Sequence, residues 1–492
     1  MSRLMSMARM RDAREAFYHP LDSEQTPQEH LVGFETDLDP YRPRNWSPGK
    51  KVMTVLLYAT TTTTSTFASS VFSTAIVPIS ESFHVSTVVA TLGISLFLVG
   101  FGVGPLLWAP MSEFYGRKLS VLVPVFIGGC FAFGGGAAKD LQTIMICRFF
   151  QGLFSSAPVS NAGGALADMY QPDKRGAAMA LYTISNVGGP LVGPLIGGAF
   201  CMNKSLGWRW TQYITGIWVM TQVVVGFILL DETHEGTLLK RKAQHLRHGG
   251  NWALHAKHEE AKVSIPDLAR TYLIRPPKIL ATPIGLLMAT YQAFAFGVLY
   301  ASLSAIPIIF QEVRGWNEVV GALPFLAILL GIVIGASATY FNQPFYMKRL
   351  KQNGGKPVPE ARLPPVMVGS VFFTGGLFML AWSSSKAIFW LVPNIGLVFV
   401  GFGFLTVMNA ANSYVVDTFQ QVAASALAAN ILWRSAFAVA FPLFTTQMLH
   451  ALGVGWGVSI FGFVAAGMMP IPFVLYIFGA RIRAQSVGFA LG

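Results

Sequence analysis

The sequence predicts an all-α integral membrane protein, with twelve transmembrane helices in two six-helix halves. Three observations predict it. First, the 492 residues are 53% hydrophobic and only 12% charged, where a soluble domain carries about 25% charged residues. Second, apolar runs of about 20 residues, enough to cross a bilayer as a helix, recur along the chain. Third, basic residues alternate between loops. With the N-terminus taken as cytoplasmic, 28 of the 35 lysines and arginines fall in one set of loops and tails. Five fall in the other set, and two, Arg148 and Arg434, lie within spans. This is the positive-inside asymmetry, and an even number of spans places both termini in the cytoplasm. The net charge of +12 therefore reports topology and contact with anionic lipid, not nucleic acid.

Read with breaks at charged or turn-rich segments, the spans fall at 52–79, 86–111, 119–137, 142–167, 175–200 and 210–230, then at 280–310, 317–341, 365–382, 387–415, 422–447 and 453–478. The chain thus divides into a tail (1–51), a first half (52–230), a connector (231–279), a second half (280–478) and a short tail (479–492). Residues 1–40 have the composition of a disordered segment. Trp46, Lys50 and Lys51 suit the inner headgroup layer before span one. No cleavable leader is expected, since the first 50 residues lack a short apolar core.

Span one is rich in hydroxyls, from Thr60 to Thr66. Spans two and three are joined by Ala109-Pro-Met-Ser-Glu-Phe-Tyr-Gly-Arg-Lys118, a tight charged turn at Gly116. Glu113 can pair there with Arg117 or with charges at the next span's end. Asp168 and Arg175, flanking the end of span four and the start of span five, are the obvious partners. Such a network can latch one conformation and release in another; a plain surface ion pair is the bland alternative. Span four carries Arg148, about two turns inside the membrane, with Gln151 and Gly152 one turn on. A guanidinium at that depth is a functional candidate by default, the alternative being an arginine satisfied by span carbonyls. Span five carries Gly189, Gly193 and Gly197 on one helical face, with Pro190 and Pro194 between them and Gly198 beyond. A face without side chains lets another backbone approach, and Gly331 and Gly335 of span eight offer a matching surface.

Asn203-Lys204-Ser205 is a glycosylation sequon too close to two spans to be used. The connector clusters His234, His245, His248, His255 and His258 among lysines and arginines. Their spacing fits no compact zinc motif, so a solvated amphipathic linker is expected, with no metal and no cofactor. Cys130, Cys147 and Cys201 show no disulfide pattern. In the second half the loop equivalent to 2–3 carries Lys348-Arg349 but lacks the compact Glu-x-x-Gly-Arg-Lys pattern. Tyr291, Gln292, Phe294, Phe296 and Tyr300 in span seven, Asn409, Asn412 and Tyr414 in span ten, and Arg434 in span eleven are candidates to line a path for a small amphiphile. Each aromatic alone fits bundle packing equally well. No Asp or Glu lies in the middle of a span, which argues against a polycation as cargo.

Glu113-Phe-Tyr-Gly-Arg-Lys118, Arg148-Phe-Phe-Gln-Gly152 and Gly193-Pro-Leu-Ile-Gly-Gly198 resemble three signature motifs of the major facilitator superfamily. Asn45-Trp-Ser and Asn430-Ile-Leu-Trp-Arg434, with Phe441-Pro-Leu, resemble its fungal twelve-span drug:proton antiporters. The resemblance covers about residues 40–480. Where the family usually shows Gly and Asp in the 2–3 loop, this chain has Ala109 and Glu113. The resemblance implies a proton-coupled exporter of a hydrophobic drug or secondary metabolite in the plasma membrane, acting as a monomer by alternating access. It also implies that Arg148 and Gln151 take part in proton coupling with Glu113 or Asp168, and that the span-five glycines pack against span eight between the halves. A polyamine exporter or nutrient importer of the same fold stays open, as does a vacuolar or endosomal membrane. A receptor would carry a longer tail, an enzyme would need a buried catalytic constellation, and direct ATP drive would need a phosphate loop; none is found.

Overall fold

In hydrocarbon, backbone N–H and C=O groups must find partners within their own segment, so apolar runs form helices. The computed structural model describes residues 31–34, 36, 39–171, 176–203, 205–247, 254–256, 259 and 274–491. Among these the regular structure is helical, apart from an isolated bridge between Leu31 and His255. Span one runs as Pro48–Ser70, a tightened turn at Val71–Ala75, and Ile76–Phe83. Span two is Thr87–Val103 and Pro105–Tyr115, span three Arg117–Ala137, and span four Leu141–Ser155 and Ala157–Met169. Spans five and six are Gly176–Met202 and Arg209–Leu229. Pro190 and Pro194 lie inside span five without interrupting it.

The second half repeats the plan. Span seven is Pro283–Pro307, widened over Ile308–Val313, and span eight is Glu318–Ala322, Pro324–Phe341 and Gln343–Gln352. Spans nine and ten are Pro364–Ser383 and Leu391–Thr418. Ala423–Met468 bends at Gly453, where φ is +75°, and Pro470–Leu491 continues it. Spans eleven and twelve lie on either side of that bend.

By length and apolarity, nine stretches among the described residues can cross a membrane. One, Ser425–Arg483, has 59 residues, or about 88 Å of helix, so it holds two passes either side of Gly453. Spans one and four are too polar to be counted in this way. Thr61, Thr62, Thr64, Thr66, Arg148, Gln151 and Asn161 are nevertheless buried inside the bundle. The organisation is in keeping with twelve spans. Large apolar side chains such as Leu92, Val99, Phe126, Ile146, Val224 and Phe463 are exposed on the helices, the pattern expected where lipid is the solvent.

Span one packs on span five, not span five on span eight through its glycines. A Cβ at Gly189 would collide with Thr66, one at Gly193 with Ser70 and one at Gly197 with Thr74. Two stripes of small residues, each stepping by four, therefore meet in register and bring the backbones together. Gly331 and Gly335 face span ten instead, against Val398 and Phe402. This corrects the expected partner of the stripe. Span five touches span eight elsewhere: Gly188 lies near Leu329, and Gly198 near Glu318.

The largest apolar core joins both halves. It takes Phe72, Ile79, Ile94 and Leu98 from the first half, together with most of the buried second half. Nearer the 2–3 loop, separate small clusters form within the first half, one around Tyr58, Val121 and Leu122, another around Trp46, Val55, Leu166 and Met169. Trp46 is thus packed into the bundle rather than presented to headgroups.

Residues 31–42 and 235–259 belong to a unit of their own. There the connector helix Glu235–Arg247 carries Ala243 against Val32 and Ala256, and Arg247 pairs with Glu259 at 2.6 Å. Residues 31–34, expected to be without structure, are held by Val32 N–H donating to the His255 carbonyl. Arg175, Lys204, His248 and His258 lie outside the described residues.

Candidate functional site

At the 2–3 loop the chain must reverse between two helices and leave the first N–H groups of span three without partners. Gly116 makes the turn at φ +89° and ψ 164°, a region that is essentially glycine's alone. The Glu232 carboxylate, beyond the end of span six, fills the space that a Cβ on Gly116 would occupy. It accepts from the backbone N–H groups of Arg117 at 2.7 Å and Lys118 at 3.2 Å, and from Thr233 and His234 at 3.0 and 2.9 Å. A buried anion thus sits on the positive end of span three. Arg117 donates from Nε to Asp168 at 3.3 Å and from Nη1 to the Ser112 hydroxyl. A Cβ on Gly164 would meet its guanidinium. Lys118 Nζ donates to the Phe227 carbonyl at 3.0 Å.

Glu113 is exposed, and Arg117 turns away from it towards Asp168. The expected Glu113–Arg117 pair is therefore replaced by two contacts, Asp168 with Arg117 and Glu232 with the helix end. Glu232 escaped the sequence reading. The signal was an acidic pair, Asp231-Glu232, directly after a span that ends at the same face as the loop.

A similar clasp closes the second half. Arg362, just before span nine, donates from Nε to Asp417 at 3.1 Å and lies 3.3 Å from the centre of the Tyr346 ring, whose hydroxyl also donates to Asp417 at 2.9 Å. Glu360 accepts from Arg483 of span twelve at 2.8 and 3.1 Å. Asp417 closes span ten as Asp168 closes span four. The basic partner in this half is Arg362 rather than Lys348-Arg349, which is why the motif looked lost.

Within span four Arg148 is fully buried. Its Nε donates to the Gly93 carbonyl at 3.0 Å, Nη1 to the Ala68 carbonyl at 2.8 Å and Gln151 Oε1 at 3.0 Å, and Nη2 to the Ser69 carbonyl at 3.3 Å. The guanidinium lies between the rings of Phe72 and Phe97, 4.6 and 4.4 Å from their centres. Each cation–π contact contributes about 0.5–2 kcal/mol. Gly152 and Gly100 let spans four and two touch through backbone, so Arg148 ties spans one, two and four together. Ser69 continues the chain of contacts: its hydroxyl lies 3.0 Å from Tyr300 of span seven and donates to the Thr66 carbonyl at 2.6 Å. The serine proton being used there, the Tyr300 hydroxyl is the donor between them. Tyr300 packs on Phe296, 5.2 Å between ring centres, and Arg434 lies 4.8 Å from the Phe296 ring.

Other path residues separate. Gln292 Nε2 donates to the Met408 carbonyl at 2.9 Å and to Asn412 at 2.8 Å, which joins spans seven and ten. Tyr291 is buried beside Ser370 of span nine, and Asn409 is half-buried. Tyr414 lies against Gly479 of span twelve. The span-one hydroxyls bond mostly to carbonyls of their own helix, Thr61 to Leu57, Thr64 to Thr60 and Ser65 to Thr61 among them, a local solution open to Ser and Thr in a helix. An apolar cavity of about 30 Å³ among Ala295, Phe373, Phe404 and Phe461 has room for roughly one water.

The model of the Major Facilitator Superfamily matches residues 58–442. The chain belongs to that superfamily. Among the relatives of this superfamily member, the "Efflux pump bik6" of Gibberella fujikuroi is 46% identical over 94% of this chain and 96% of that protein. The "Citrinin biosynthesis cluster MFS transporter mrr1" of Monascus ruber is 41% identical over 93% and 92%. The "Major facilitator superfamily multidrug transporter FLU1" of Candida albicans is 39% identical over 95% and 77%. Among solved structures, the xylose transporter XylE of E. coli in a partially occluded inward-open conformation aligns over 87% of this chain and 98% of its own, with a TM-score of 0.60 and 15% identity; that likeness speaks for the fold alone. The superfamily member is a multi-pass membrane transporter, not an enzyme.

Proposed function

We propose that this transporter exports a hydrophobic drug, toxin or secondary metabolite across the fungal plasma membrane in exchange for protons, with both termini in the cytoplasm. One observation carries the reading. The halves share a core and hydrogen bonds away from the 2–3 loop, Tyr300 to Ser69 and Ser95 to the Val439 carbonyl. At the 2–3 loop end, the apolar clusters and clasps among the described residues stay within single halves. A bundle joined on one side and divided on the other is one pose of a rocking carrier. The clasps at the divided end then hold each half rigid while the halves rock. The names of the relatives, an efflux pump and a multidrug transporter, support export over import. Asp168 and Asp417, whose side chains are partly exposed, are the carboxylates that take up protons, and Arg148 is the brace through which proton binding acts on the buried bundle. The absence of a midplane carboxylate among the described residues weighs against polyamine cargo.

The test is efflux from a transporter-deficient yeast expressing the chain, loaded with a panel of labelled amphiphiles with and without a proton ionophore. Ionophore-sensitive export is expected. Export that survives collapse of the gradient would end the coupling claim, and uptake in place of export would reverse the direction.

A further inference from the structure

Among the described residues the bundle buries two arginines and treats them differently. Arg148 donates from all three of its nitrogens, as described above. Arg434, twelve residues into span eleven, is 8% exposed. Among the described residues its guanidinium donates no hydrogen bond, and Nε is wholly buried without an acceptor. One helical turn earlier, on the same face, Asn430 is 3% exposed and its Nδ2 is likewise buried without an acceptor. The Nε–H of Arg434 and the amide donor of Asn430 therefore share one face, buried with nothing to receive them, while the two Nη groups of the same guanidinium make no hydrogen bond among the described residues.

The neighbours do not supply an acceptor of the right kind. Arg434 interacts electrostatically with the hydroxyls of Tyr182 and Tyr300, which are neutral phenols. Tyr182 donates to the Val159 carbonyl at 2.7 Å, and Tyr300 donates to Ser69. Among the described residues no carboxylate pairs with Arg434. Buried charge without a counter-ion is costly, and a guanidinium matches a planar oxyanion in two parallel hydrogen bonds. The Phe296 ring on one side of Arg434 supplies a flat apolar wall.

We infer that Arg434, seconded by Asn430, is the recognition site for an oxyanion, a carboxylate or ionised phenol, carried by an aromatic amphiphile. The inference rests on the export reading and sharpens it: the cargo is acidic rather than neutral. Arg434 holds the charged group while the aromatic body lies against Phe296.

The test is a fluorescence titration of the full-length wild-type transporter in nanodiscs, at a pH where the probe carboxyls are ionised. The probes are naphthoic, anthracenecarboxylic and pyrenebutyric acids, each beside its own methyl ester, with pyrenol added to separate phenolate from carboxylate. The best acid is expected to bind about tenfold or more tighter than its ester. Arg434→Gln should bring the acid down to the level of the ester without moving the ester, and Arg434→Lys should keep part of the preference. Equal binding of acid and ester by the wild type, equal weakening of both by Arg434→Gln, or no binding by any acid would overturn the assignment. The wild-type comparison decides even if a variant fails to fold. The titration involves no gradient and no direction. An acid preference without efflux from yeast would therefore sink the export reading alone, and efflux of esters as readily as acids would sink the oxyanion site alone.

Discussion

Gly116 and Glu232 show how one backbone angle can place a charge. The positive φ removes the side chain, the vacated space admits a carboxylate, and the carboxylate caps a transmembrane helix. Gly116→Ala is expected to cost about 1–3 kcal/mol from backbone strain, with further loss as Glu232 is displaced. Glu232→Gln should cost about 1–3 kcal/mol by leaving buried N–H groups poorly satisfied. Glu113→Gln should be near neutral, because that side chain faces outward. Thermal unfolding of the purified variants, followed by transport, checks the order. If Glu113→Gln proves as damaging as Glu232→Gln, the pairing described here is not the one that matters.

At the scale of helices, the seam between spans one and five depends on matched small residues. Gly189, Gly193 and Gly197 meet Thr66, Ser70 and Thr74 one for one. Added volume has nowhere to go, since the backbone of Val71 stands 2.7 Å from a Cβ on Gly193. Gly193→Ala is expected to destabilise by about 1–3 kcal/mol, the usual cost of overpacking, and Gly193→Leu to prevent folding. Gly163→Ala, where nothing lies within 4 Å of the added carbon, is the matched control. Size-exclusion profiles after graded heating compare them; a wild-type melting point for Gly193→Ala would show that the seam has slack. The prolines at 190 and 194 sit in the same helix without interrupting it. Their missing N–H groups are tolerated where neighbouring spans enclose the backbone.

For the whole molecule, the question is which end opens. Gly198 of span five and Glu318 of span eight belong to different halves and sit at the end away from the clasps. A Cβ on Gly198 would lie 3.7 Å from that of Glu318, within the range for a disulfide. In a background with Cys130, Cys147 and Cys201 replaced, the pair Gly198→Cys and Glu318→Cys is expected to cross-link under mild oxidation. Transport should then fall at least tenfold, on the order of what locking one pose requires, and return with reductant. Full cross-linking with undiminished transport would mean that these ends never separate. Each single cysteine should transport normally.

The sequence by itself determined the helical class, the order of the apolar helices and the positions of Arg148 and Arg434. These depend on composition and local spacing, and the bilayer allows few alternatives to a helix. It also singled out Gly116, Arg117 and Asp168 as one neighbourhood. Partners were decided only by tertiary structure. Arg117 chose Asp168 over Glu113 because it faces into the bundle and Glu113 does not, and Glu232 arrived from a span end 115 residues away. The span-five stripe met span one rather than span eight, since a smooth face says that something packs there but not what. The difference between Arg148 and Arg434 has the same origin. Both are lone arginines in apolar helices, and only the carbonyls that other spans bring within reach leave the first satisfied and the second waiting for an acceptor.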